Sequence, residues 1–353
     1  MGEHSVAVVI PVLDEVGNIG VLLDDLAAQQ APPDEIIVVD AGSTDGTWEL
    51  LSARRATSPG LKVERVLGAT PGRGRNEGIR VAAATTIVTL DAGSRIGPTW
   101  LAALTGALGV ALNKRAVVGV ADADARSEFE RAAGWFTLHA FKPSDRPGPL
   151  ADTFLPAGRN GYCFTRAAWT VAGGYPPHLA WGEDKVFLRR LRESGFEIVV
   201  APDAIVRWRP RRSLTELYRQ YARYGRGDAM AGVDRRNTLV TLGLYTVGAR
   251  LVYDAARGRR IAVIGVCVAP ASYLGLFVLA ARRRLGVSWA LAWVPPIRVV
   301  VDAAKMHGFL AELLRRSLLR ACPKTRRGEV RPGSYARLVR SGELGGAGWR
   351  WGR

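Results

Sequence analysis

The chain is poor in the residues that staple small folds or bind metals through sulfur. Its 353 residues include three cysteines, Cys163, Cys267 and Cys322. They are odd in number, far apart and without metal-ligand spacing, so neither a disulfide framework nor a zinc site is expected. Acid is also in short supply: 49 Lys and Arg stand against 32 Asp and Glu, a net charge of +17. Such a field suits anionic partners, whether nucleic acid, anionic lipid headgroups or phosphorylated substrates. Met1 to Ser5 runs straight into an apolar strand pattern, with no basic n-region, long apolar h-region or cleavage site. No signal peptide is therefore expected, and the N-terminal domain is expected to stay in the cytoplasm. The length suggests two domains or one with an appendage, and 48% hydrophobic content is ample for a packed core.

Four short, apolar, β-branched runs, Val6–Val12, Glu35–Val39, Leu61–Val66 and Thr86–Leu90, read as buried strands. Between them Asn18–Gln30, Thr44–Thr57 and Asn76–Ala84 read as helices. This alternation implies a parallel sheet covered on both faces, with ligands bound outside the carboxyl ends of its strands. The polar clusters Asp14-Glu15, Asp40 to Asp45 and Asp91 to Ser94 fall at those ends. From Leu101 to Arg209 the pattern is mixed. Val117–Val120 reads as a strand, Asp122–Arg131 is a charged stretch given no element, and Lys142–Pro149 reads as a mobile loop. Lys185–Ser194 reads as an amphipathic helix closed by Gly195.

Composition changes after about Asp234. Ile261–Ala281 is 21 residues without a charge, long enough to span a bilayer. Of its apolar neighbours, Thr238–Ala256 contains Arg250 and Asp254, and Leu285–Ala303 is broken by Pro295-Pro296 and Arg298. Arginines stand on both sides of the uncharged run, so the positive-inside rule gives no orientation. A re-entrant or interfacial hairpin would keep both arginine clusters on the cytoplasmic face. The expected division is a catalytic domain over 1–234, an apolar membrane-associated helical region over 235–314, and a basic tail over 315–353. That tail is read either as an arm held against anionic lipid headgroups or as a solvated disordered segment.

Several segments carry chemistry. Val9-Ile10-Pro11-Val12-Leu13-Asp14-Glu15 ends the first strand, and Val38-Val39-Asp40-Ala41-Gly42-Ser43-Thr44-Asp45-Gly46-Thr47 ends the second. A carboxylate there can accept hydrogen bonds from a base or ribose, and the turn after it leaves helix N–H groups for polar ligands; ordinary turn chemistry is the alternative. Gly72-Arg73-Gly74-Arg75-Asn76-Glu77-Gly78 is one residue longer than a dinucleotide fingerprint and sits at the third strand–helix unit, not the first. Asp91-Ala92-Gly93-Ser94 ends the fourth strand. Further on come Pro156-Ala157-Gly158-Arg159-Asn160-Gly161, Gly173-Gly174-Tyr175-Pro176, Gly182-Glu183-Asp184 and Gln220-x-x-Arg223-Tyr224.

Together, over Val6 to Asp228, these segments resemble family 2 glycosyltransferases of the inverting, membrane-associated bacterial type. The resemblance implies an α/β fold: a GT-A (nucleotide-diphospho-sugar transferase) Rossmann-like domain with a mostly parallel central sheet, followed by C-terminal membrane-associated helices. It implies that Pro11, Glu15 and Asp40 hold the nucleoside, that Arg73, Arg75 and Asn76 reach the sugar-diphosphate, and that Asp91 binds Mg²⁺ or Mn²⁺. Asp184 would be the general base that an inverting transfer needs, with Glu183 orienting or binding the acceptor. A pair of acids stabilised by a helix N-terminus is the ordinary reading of the same two residues. Trp181, Gln220, Arg223 and Tyr224 would serve the acceptor or diphosphate side.

Two positions depart from the family pattern. Gly93 stands where the second acid of Asp-x-Asp is usual, so Arg73, Arg75 and Arg95 become candidates to supply positive charge. Tyr224 stands where processive members carry Trp. The expected activity is hexosyltransferase-like transfer from a nucleotide-sugar donor to a lipid-linked or polysaccharide acceptor of the cell envelope, at the cell membrane. The basic, aromatic stretch from Arg207 to Asp228 also fits an amphipathic helix on a membrane surface; beside an apolar span it favours lipid phosphate, and no nucleic-acid partner is expected. The rival readings are a catalytically inactive nucleotide-sugar-binding membrane scaffold and a dehydrogenase.

Overall fold

The computed structural model describes residues 5–109, 114–138, 148–149 and 158–321, leaving aside the side chains of 148, 149, 284 and 319–321. Most of the expected loop before Pro149, Pro156-Ala157 and the tail beyond Ala321 lie outside the described residues. The chain forms two compact units, residues up to 122 with 141–208, and residues 123–140 with 209–323. This differs from the expected division at 234: the break falls after Trp208, and an earlier segment joins the second unit.

The elements of the first unit are β1 (Val6–Val12), α1 (Ile19–Ala27), β2 (Glu35–Asp40), α2 (Thr47–Thr57), β3 (Leu61–Arg65), α3 (Pro71–Val81), β4 (Thr86–Thr89), β5 (Arg95–Ile96), α4 (Trp100–Leu108) and β6 (Arg115–Ala123). After α5 (Glu128–Leu138), which belongs to the second unit, follow β7 (Gly148–Pro149), β8 (Tyr162–Thr165), α6 (Arg166–Val171), α7 (Glu183–Glu193) and β9 (Glu197–Trp208). The strands order as β3-β2-β1-β4-β8-β6-β9-β5, with β7 beside β9. Strand β1 shows why the central strands read as continuous apolar runs. Val8, Ile10 and Val12 join the core that contains α1 and α4, while Ala7 and Val9 join the one that contains α3 and α7. With both faces covered, neither can carry polar residues.

The β3-β2-β1-β4 half is parallel, as strands joined by helices must be. Beyond β4 the sheet turns antiparallel: β4–β8, β6–β8, β5–β9 and β7–β9 all pair so. The sheet is therefore mixed, where a mostly parallel one was expected. The pattern of strands alternating with helices ends at β4, and the mixed stretch after it carried no direction signal. In the parallel half Val12 lies opposite Asp40, which brings the two acid-bearing turns side by side.

Helix α3 begins at Pro71 and not at Asn76. Thr70 caps it, its Oγ1 accepting the Arg73 N–H at 3.1 Å, and proline takes the first position. The glycines of Gly72-x-Gly-x-x-x-Gly78 are thus helical and face other parts of the protein. A Cβ at Gly78 would lie 2.5 Å from Val9 Cγ1, one at Gly74 3.1 Å from Pro11 Cβ, and one at Gly72 2.9 Å from the Pro176 carbonyl. Gly74 and Gly78 let α3 lie close on β1, and Gly72 lets it meet the Pro176 carbonyl.

The second unit is helical: α5, α8 (Leu214–Ala231), α9 (Arg235–Ala256), α10 (Arg260–Leu285) and α11 (Val287–Ala321). The charged stretch left without an element leads into α5. Pro295 and Pro296 do not break α11, whose Val294 and Ile297 are fully buried in the core of this unit. That packing outweighs the local cost of the prolines. Among the described residues two helices are long and apolar enough to cross a membrane, Arg260–Arg283 and Val287–Leu318.

Candidate active site

The first cluster forms at the ends of β1 and β2. Asp40 is fully buried, accepting from the Gly42 and Ser43 N–H groups at 3.1–3.2 Å and from Ser43 Oγ, with Arg65 Nε at 3.2 Å. Ser43 Oγ in turn accepts the Asp14 N–H at 2.9 Å, and Asp14 Oδ1 accepts the Thr44 N–H at 2.8 Å. Thr47 Oγ1 accepts the Glu15 N–H at 2.8 Å, and the buried Glu15 carboxylate takes the Asn18 amide at 2.5 Å. Two turns are thereby laced into one edge, with Asp40 and Glu15 as its internal ties and Pro11 beneath it against α3.

The second cluster centres on Arg75, which is 2% exposed. Its Nη1 donates to Glu183 Oε1 at 2.6 Å and its Nη2 to Asp91 Oδ1 at 2.5 Å, with the Tyr175 ring 5.3 Å away. Burial opposes the guanidinium charge, but Asp91 and Glu183 outweigh it and hold Arg75 above its ordinary value. Glu183, 4% exposed, starts α7 after Gly182, whose φ of 76° suits glycine. Burial first, then the Asp184 carboxylate, pushes Glu183 up to about 8 against the pull of Arg75. Asp184 is half-buried, and its Oδ2 accepts the Gly158 N–H at 2.5 Å. Chain segments far apart in sequence thus bring one cation and three carboxylates together.

Not every expected residue points into this cluster. Asn76 is buried and spends its amide on the protein: Nδ2 donates to the Tyr175 carbonyl at 2.7 Å, while Oδ1 accepts the Tyr175 N–H at 2.9 Å and Trp169 Nε1 at 3.0 Å. It anchors the 169–175 segment. Tyr175 itself is fully buried, its hydroxyl 3.1 Å from Thr89 Oγ1 and its ring stacked on Phe187. Arg95 pairs with Asp25 at 2.7 Å on α1, and Arg73 is partly exposed near Glu77, so of the three candidate arginines Arg75 alone reaches the carboxylates described. Trp181 is half-buried just before α7. Gln220, Arg223 and Tyr224 lie on α8 in the second unit. Gln220 is buried and donates to the Tyr224 hydroxyl at 2.8 Å. Burial and the nearby Arg211 lower Arg223 below its ordinary value. The Gly158 N–H is a site feature the sequence did not single out by itself; its signal was the glycine within Gly158-Arg159-Asn160-Gly161.

A divalent cation does not find a ready set of ligands here. One Asp91 oxygen is bound to Arg75, Gly93 brings no side chain, and among the described residues no group of three or more His, Cys, Asp or Glu is placed to hold a metal ion.

Known proteins share the fold. The fold is that of a GT-A sugar-nucleotide transferase. A mannosyltransferase from Pyrobaculum calidifontis, solved with GDP-Man and Mn²⁺, superposes with a TM-score of 0.57 at 19% identity, covering 88% of this chain and 87% of that one. Residues 7–161, under half of the chain, match the description "Glycosyl transferase family 2", and together with the relative named next this match makes the chain a glycosyltransferase by similarity. Succinoglycan biosynthesis protein ExoA of Rhizobium meliloti is 24% identical over 327 residues, 88% of this chain and 95% of the relative.

Proposed function

We propose that the enzyme moves a sugar, with inversion, from a nucleotide-diphosphate donor to a lipid-linked or polysaccharide acceptor at the cytoplasmic face of the cell membrane. The Arg75–Asp91–Glu183–Asp184 cluster is the observation that carries this reading. Inversion requires one displacement: the acceptor oxygen bonds to the anomeric carbon as the bond to the diphosphate breaks, and the nucleoside diphosphate leaves with the electron pair. The acceptor proton needs a base on the far side. Asp184 suits that role, being the more exposed of the two acids at the start of α7 and fixed by the Gly158 N–H. Glu183 and Asp91 act as positioning residues that clamp Arg75 beside the donor's diphosphate. The laced turns around Asp40, Glu15 and Pro11 form the nucleoside edge.

Two apolar helices and the arginines that flank the first support membrane attachment, and a relative named for succinoglycan biosynthesis supports a saccharide acceptor. Purified protein in lipid nanodiscs, screened with UDP-, GDP- and dTDP-sugars, is expected to turn over one donor class. Asp184→Asn should lower that rate by about 10²–10⁴-fold while nucleotide binding persists. Equal rates in the variant would remove Asp184 as base, and nucleotide binding without any turnover would favour the scaffold reading.

A further inference from the structure

The second unit contains a cavity of about 350 Å³ between α5, α8, α9 and α11, within the size range of small-molecule sites. We propose that this cavity binds a neutral saccharide, the already assembled part of the acceptor; that identity rests on the transferase reading above. The charges at its wall favour a neutral occupant. Arg298 pairs with the buried Asp302 at 2.5 Å, and Lys305 lies between Asp228 at 3.3 Å and Asp234. Among the lining residues two cations, Arg298 and Lys305, stand against two carboxylates, Asp234 and Asp302, so the wall has no net charge and a phosphate or carboxylate ligand would have to draw a cation away from a carboxylate that already holds it. A cationic ligand would have to displace Lys305 or Arg298 from carboxylates that already hold them.

The rest of the lining has the chemistry of a sugar ring's two aspects. Thr238 and Thr241 donate their hydroxyl protons to helix carbonyls, of Asp234 at 3.1 Å and Asn237 at 2.9 Å, which leaves oxygen lone pairs as acceptors for ligand hydroxyls. Asp302 already accepts from Tyr245, Tyr273 and Arg298, and Asp234 from Asn237 and Lys305, so the threonine oxygens are the acceptors offered to a ligand. Phe136, Tyr221 and Met306 supply the apolar surface that C–H faces need. Ionisable groups on α11, a helix long and apolar enough to span a membrane, are costly and call for a use, since packed apolar residues would stabilise such a bundle as well or better.

The test is saturation-transfer NMR and calorimetric titration of the full chain in nanodiscs with maltotriose, cellotriose and laminaritriose, with inorganic phosphate as the anionic control. Saturable binding of at least one trisaccharide is expected, abolished by the cavity-filling Thr241→Trp while donor hydrolysis stays unchanged. Should that variant fail to fold, Thr241→Val removes a single acceptor and is expected to weaken binding about three- to tenfold. No saturable trisaccharide binding, equal binding by wild type and the variants, or saturable binding of phosphate alone would each overturn the proposal. Donor hydrolysis by the wild type is read separately, so failure of the transferase reading and failure of the saccharide site give different results.

Discussion

A guanidinium 2% exposed is costly unless its charge is answered, and Arg75 has two carboxylates within 2.6 Å. The same crowding lifts Glu183 from its ordinary 4.5 to about 8. Between those values the folded protein holds a proton that the unfolded chain has lost. The stability this supplies is fully present below 4.5 and is lost as pH rises through about 8. Glu183→Gln cannot titrate, so its thermal midpoint should fall less between pH 5 and pH 9 than that of the wild type; parallel declines would show that Glu183 does not carry the slope. The metal question also belongs to single residues. With one Asp91 oxygen on Arg75 and glycine at 93, Mn²⁺ titrated into the chain without donor and followed by electron paramagnetic resonance should show no saturable site. Saturation would return a ligand role to Asp91.

Among elements, the crossing of α8 and α11 depends on two glycines. A Cβ at Gly308 would collide with the Ala222 carbonyl, and one at Gly225 with the Lys305 carbonyl. The helices meet backbone to backbone, so neither position tolerates a side chain without a shift of the whole pair. Gly308→Val is expected to destabilise the second unit by about 1–3 kcal/mol or more, seen as a lower midpoint in chemical denaturation; an unchanged midpoint would mean that the helices part freely. Gly225 and Asp228 have packing and ion-pairing partners on α11. The strands and the first helices were legible because their signals are local. The start of α3 was not, since the glycines that suggested a loop are the ones that fit β1. The continuity of α11 was hidden by Pro295 and Pro296, because only its burial reveals what holds it.

At the scale of the molecule, the second unit exposes large apolar side chains along α10 and α11, among them Ile261, Leu276, Trp289 and Leu314. Extensive exposed apolar surface calls for a partner, and a bilayer fits helices of this length. The full chain should therefore float with phosphatidylglycerol-containing vesicles in a sucrose gradient and remain bound in high salt, where surface electrostatics are screened. A chain that sediments free of vesicles would argue against attachment.

The sequence by itself determined the parallel half of the sheet, the acids at its strand ends and the acidic pair opening α7, because periodicity, caps and strand-end motifs are written within a few residues. Tertiary structure alone decided which of these side chains meet. Arg75 reaches Glu183 across 108 residues and Asn76 reaches Tyr175 across 99, so one became the hub of the site and the other a brace. Neighbours in sequence with similar promise were separated because successive residues of a helix point in different directions, and only packing shows which direction faces the site.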